Sequence, residues 1–176
     1  MSEKKNIDLL VYELEDVRRI LLKGVEHLTK EQLFEPPVPG EFPIGAYLMH
    51  MAEVDLGWLA TLSQDSVEIS DDIKKRSYYN SWYDAWGEDV GEAPKEAIEP
   101  QVYFDTIAET RKMVIDYIKG MSDEDLEETI TRKHGDHEHS FTKKWIIYHL
   151  IEHEAHHRGQ MFMLIRMAGW NKKRDN

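Results

Sequence analysis

The sequence predicts an all-α protein: a four-helix bundle with a long crossover between its second and third helices and a small hairpin or loop before the fourth. Three observations predict it. Four segments carry apolar residues at three- and four-residue steps, prolines and glycines separate them, and across 66–100 the periodicity fades while aromatic residues accumulate.

The first segment runs from about Ile7 to Leu28, with Leu10, Leu14, Val17, Leu21 and Val25 at helical spacing. Pro36, Pro37 and Pro39 with Gly40 break it, and Pro43 suits the first turn of a second helix reaching about Ser63. Along that helix Ile44, Tyr47, Met51, Val54, Trp58 and Leu62 share a face. The crossover concentrates Tyr78, Tyr79, Trp82, Tyr83 and Trp86, residues that fill a core or close an open coordination side against water. A third helix is expected from about Val102 to Gly120, with Phe104, Ile107, Met113, Tyr117 and Ile118 as its apolar positions and Gly120 as its stop. Residues 122–125 can cap a short turn, and Thr129, Ile130 and Thr131 followed by His134, Gly135 and Asp136 read as a small hairpin or loop. The fourth helix should run from about Thr142 to Ala168 and end at Gly169.

A chain of 176 residues fits one domain over 1–176, and 41% hydrophobic with 32% charged residues is an ordinary globular balance. No apolar run approaches the ~20 residues needed to span a bilayer, and the start lacks the apolar stretch of a signal peptide, so no membrane and a cytoplasmic location are expected. A net charge of -12 argues against nucleic acid, since phosphate binding rests on clustered Lys and Arg. The basic tail Lys172, Lys173 and Arg174 is the local exception, and it suits a helix end. With no cysteine, disulfides, thiolate ligands and a cysteine nucleophile are excluded, and any thiol must come with a substrate.

On the fourth helix His153 and His157 are four residues apart, which places them about 40° apart on one face and within reach of one ion. A third ligand is needed, and the second helix offers His50 on a stripe with Ala46, Tyr47, Val54 and Gly57 that must face the interior. Three neutral imidazoles with an open position suit zinc or nickel first, and iron or manganese as well. Residues 153–157 also satisfy the H-E-x-x-H pattern of zinc peptidases. That reading fails on its downstream ligand, because position 163 is Met163 and no glutamate follows Glu154. Glu154 is a candidate base beside the first ligand, or else a solvated carboxylate on the helix face.

The string HLIEHEAHHRGQ at 149–160, with LMHMAE at 48–53, resembles the DinB family, also called DinB and YfiT-like metalloenzymes. The resemblance spans nearly the whole chain, and it implies a four-helix bundle with a three-histidine metal site, here His50, His153 and His157. The long aromatic crossover departs from simpler family members. His149 and His156 lie close enough to the ligands to support them or to pack. His134, His137 and His139 are expected to be solvated, and His27 to take no part; Arg158 and Gln160 belong to the motif without a derivable role.

The function expected is a metal-dependent transferase that activates a low-molecular-weight thiol for attack on a small-molecule electrophile. The alternatives are a metal-dependent hydrolase using metal-bound hydroxide, and a non-catalytic metal or ligand-binding stress protein. A homodimer is also expected, because Ile147, Ile151, Phe162 and Ile165 form a second apolar stripe on the fourth helix that needs cover from the crossover or a second copy.

Overall fold

Four long amphipathic helices cover one another's apolar faces, and they dominate the fold. They are α1 (Lys5–Val25), α3 (Ile44–Leu62), α5 (Pro100–Lys119) and α6 (Lys143–Met167), joined by the short α2 (Lys30–Phe34) and α4 (Asp71–Arg76). The computed structural model describes residues 5–77, 94–134 and 137–172. The aromatic run at 78–86 lies outside them. Helix α1 packs on α5 and α6, and α3 also packs on α5 and α6, so the four helices close a ring in which α3 and α6 are neighbours.

Local chemistry sets the ends. Thr29 and Gln32 form a reciprocal capping box at α2, which the long-period reading of the first helix passes over. Ser70 caps α4 by accepting from the Ile73 amide, and Thr142 caps α6 by accepting from Trp145. Pro43 sits at the N-cap of α3, whereas Pro100 opens α5 as its first residue. Gly169 ends α6 with φ 72°, the left-handed conformation that favours glycine at a helix C-terminus. Gly120 stops α5 differently, with φ -74° and ψ -18°, an ordinary right-handed residue. Ser122 and Asp125 bond each other's backbone N–H groups around a 3-10 turn. The neighbouring Asp123 accepts from the amides of Asn6 and Ile7 at 3.1 and 3.0 Å, capping the start of α1 from a distant part of the chain.

The expected hairpin is present: β1 (Thr129–His134) pairs antiparallel with β2 (His137–Thr142), Ile130 opposite Phe141. Ile130 turns into the core, and β2 runs directly into α6.

Buried apolar side chains form two clusters stacked along the bundle. One gathers Leu21, Tyr47, Leu48, Met51, Tyr103, Ile107, Met161 and Leu164, and the other Ile7, Leu14, Leu59, Val114, Ile118, Ile146, Ile147 and Leu150. Of the second stripe of α6, Ile147 and Ile165 are buried and Ile151 and Phe162 are half-buried, Phe162 lying so close to α1 that a Cβ on Gly24 would come 2.1 Å from its ring.

Candidate metal centre

Between the two apolar clusters every long helix contributes one charged residue to the interior. Arg18 of α1 stands between Leu14 and Leu21, Asp55 of α3 between Ala52 and Leu59, Arg111 of α5 between Ile107 and Val114, and Glu154 of α6 between Leu150 and Met161. All four are at most 5% exposed. Arg18 grips Glu154 with two bonds, Nε to Oε1 at 2.8 Å and Nη2 to Oε2 at 3.0 Å, and Arg111 grips Asp55 with Nη2 to Oδ1 at 2.8 Å and Nε to Oδ2 at 3.2 Å. Cross bonds from Arg18 to Asp55 at 3.1 Å and from Arg111 to Glu154 at 2.7 Å close the quartet. Two cations and two anions in paired, fork-like geometry offset the cost of taking charge out of water. Burial alone would raise the Glu154 pKa, but the Arg18 and Arg111 guanidiniums overcome it and hold the carboxyl below its ordinary range.

This placement corrects one of the two sequence expectations for Glu154. It is not a solvated helix-face carboxylate, being 1% exposed. Nor does it have the setting of a general base, because both oxygens are engaged by guanidiniums and its proton affinity is depressed. On a helix the residue after His153 is turned about 100° away from it, and here that direction points to α1 and α5.

The histidines turn the other way. His50 from α3 meets His153 and His157 from α6, with Nε2 of His153 lying 3.1 Å from Nε2 of His50 and 3.2 Å from Nε2 of His157. Nitrogens bound at 2.0–2.1 Å around a tetrahedral ion are ~3.3 Å apart, so the trio already has the spacing of a donor set for such an ion. Among the described residues these three side chains are the group whose donor atoms, all within 4.8 Å of one another, could hold a metal. His50 and His157 are buried and His153 is half-buried, which leaves access from the His153 side.

Burial, then the neighbouring His157 and His50, push the His153 pKa down to about 3, and burial chiefly pushes that of His157 down to about 4. Both are neutral at physiological pH, the form a metal requires. The amide oxygen of Gln160 accepts from Nδ1 of His157 at 2.6 Å, which leaves the Nε2 lone pair directed at the trio. Gln160 has a role that reading of the motif missed, and its signal was present: three residues after His157 it stacks one turn above it. Oε2 of Glu53, three residues after His50, lies 3.8 Å from Nδ1 of that imidazole.

The remaining histidines separate. His149 stacks on Trp145 and its ring centre lies 5.6 Å from that of His153. His156 is exposed with its ring 5.3 Å from His157. His27 bonds the Trp170 carbonyl at 2.7 Å, and His139 is exposed on β2. Side chains at 134 and 137 lie outside the described residues.

Comparison with known proteins places these features in a family. The DinB superfamily model matches residues 13–161. A conserved protein of Enterococcus faecalis superposes with a TM-score of 0.70 at 18% identity, covering 97% of this chain and 99% of that one. YfiT of Bacillus subtilis, described as a probable metal-dependent hydrolase with an unusual four-helix bundle topology, gives 0.63 at 19% identity, over 97% and 92%. A DinB-like protein of Bacillus cereus gives 0.56 at 20%, over 90% and 87%. At these identities the structures show a shared fold. Among curated proteins none matches the chain. No helix among the described residues is long and apolar enough to cross a membrane.

Proposed function

The chain belongs to the DinB superfamily, and from that premise we propose that it is a metal-dependent transferase: His50, His153 and His157 hold one divalent ion, and a low-molecular-weight thiol is activated there for attack on an electrophile. Zinc or nickel is the first choice for a set of three imidazoles, and iron or manganese is compatible with it. When bound, the ion supplies the positive charge that holds a thiol as its thiolate at neutral pH.

The observation that carries this reading is the setting of Glu154. In a peptidase the glutamate of H-E-x-x-H serves as base toward water, but here it is locked between Arg18 and Arg111. A thiol with an ordinary pKa near ~8.5 needs far less help than water to lose its proton, so a site without that base favours sulfur as nucleophile. Three neutral imidazoles leave the full charge of an ion available to the incoming sulfur, and Gln160 fixes the tautomer that lets His157 donate its lone pair. The chain has no cysteine of its own to compete for the site.

A second reading is a metal-dependent hydrolase, the reaction class given for YfiT. Cobalt-loaded protein separates the two. Addition of bacillithiol or glutathione is expected to produce a sulfur-to-cobalt charge-transfer band, absent in His157→Ala, and to accelerate conjugation to an electrophile. A cobalt spectrum indifferent to thiols, together with thiol-independent ester or amide hydrolysis lost in His157→Ala, would replace the transferase by the hydrolase.

A further inference from the structure

The accessible side of the triad opens onto a continuous series of rings. From half-buried His153 the next ring is His149, at 5.6 Å between centres; it lies parallel to Trp145, 5.0 Å away and tilted only 4°. Trp145 in turn stacks on Phe141 of β2 at 4.8 Å. Trp58 of α3 stands edgewise to three of them, 5.2 Å from His149, 5.7 Å from Trp145 and 5.3 Å from Phe141. Trp58 and Phe141 rest against the second apolar cluster, yet all five rings keep solvent contact and Trp145 is 40% exposed. These form a partly wet surface that ends on one of the triad's own imidazoles, and contiguous exposed apolar surface of this kind marks binding sites.

We propose that this aromatic wall is the subsite for the electrophile, and that the electrophile carries a flat apolar body, an aromatic ring, on a molecule that is neutral or anionic overall. The inference rests on the metal-site reading above and adds the substrate class to it. Both faces of the Trp145 indole are occupied, by Phe141 and His149, so the stack offers ring edges outward. Ring edges carry partial positive charge and meet the negative face of another ring. A divalent ion held by three neutral ligands keeps its charge and disfavours a cationic molecule beside it. A methyl group would lose the edge-to-face contacts and most of the buried area, so a phenyl group presented by the same head should bind on the order of tenfold tighter.

Benzohydroxamate and acetohydroxamate share one chelating head and differ in that body. Titrated into cobalt-loaded protein and followed by the visible spectrum, both should perturb the metal bands, with benzohydroxamate on the order of tenfold tighter. The ratio of the two dissociation constants should fall several-fold in Trp145→Leu and in Trp58→Leu while acetohydroxamate binding stays unchanged. Trp145 is partly exposed, so its variant decides the matter if Trp58→Leu fails to fold. A ratio unmoved by Trp145→Leu overturns the subsite alone. If neither hydroxamate perturbs the cobalt spectrum, the metal-site reading falls and the subsite falls with it.

Discussion

Replacement of Glu154 by glutamine is the perturbation that most sharply separates a structural carboxylate from a catalytic one. The amide keeps the shape and removes the charge, leaving Arg18 and Arg111 to share Asp55 alone. Charge-assisted bonds at 2.7, 2.8 and 3.0 Å are lost or weakened, and an amide NH2 is turned toward a guanidinium. Breaking one member of a buried ion network costs about 3–5 kcal/mol, because the surviving charge stays desolvated. At ~2–4 °C per kcal/mol for a chain of this size, the melting temperature should fall by roughly 6–20 °C. The assay is urea and thermal unfolding of protein stripped by a chelator, so that metal binding does not add its own stabilisation. Glu152→Gln, an exposed change on the same helix, should stay within about 0.5 kcal/mol. Replacing all four charged residues by Met and Leu should cost less than Glu154→Gln, since an apolar layer leaves no orphaned charge. If metal-free Glu154→Gln matches the wild type within about 1 kcal/mol while the metal-loaded variant loses turnover, the carboxylate is a base and not a tie.

Three further outcomes follow from the same geometry. Unfolded imidazoles take a proton near pH 6.5, but His153 and His157 do so in the fold only near about 3 and about 4; protons in that interval therefore favour the unfolded chain. Metal-free protein should lose stability steadily as pH drops below about 6.5, and a flat profile from 7 to 5 would contradict the shifts. Gln160→Ala releases Nδ1 of His157 and should weaken metal affinity about 10–100-fold by competition against a chromogenic chelator, whereas an unchanged affinity would deny Gln160 its orienting role. Gly24→Ala drives a methyl into the Phe162 ring and should destabilise by about 1–3 kcal/mol in urea, a loss that Phe162→Leu in the same chain should largely restore.

The triad was legible because two of its members obey helical spacing on one element and the third lies on the interior stripe of another; no long-range information was needed beyond the demand that both stripes face inward. The four long helices were legible for the same reason. The charged quartet was not. Arg18, Asp55, Arg111 and Glu154 each occupy an interior position in an apolar stripe, yet a single charged residue in such a stripe reads as a boundary of the polar face, and only the packed helices reveal that opposite charges meet. Their signal was the in-phase spacing of Leu14, Arg18 and Leu21 and of Ile107, Arg111 and Val114. The short α2 escaped because five residues are too few to show a period, although Thr29 and Gln32 carried its cap. Cover for Phe162 was likewise invisible, since it depends on Gly24 being small enough to admit the ring from another helix.

Whether α3 and α6 together hold one divalent ion is decided by the metal content of the purified protein and its His50→Ala variant after reconstitution with zinc or nickel and removal of free ion. The wild type should hold one ion per chain and His50→Ala nearly none, because His153 and His157 alone leave a two-nitrogen site. Full stoichiometric metal in a folded His50→Ala variant would contradict it.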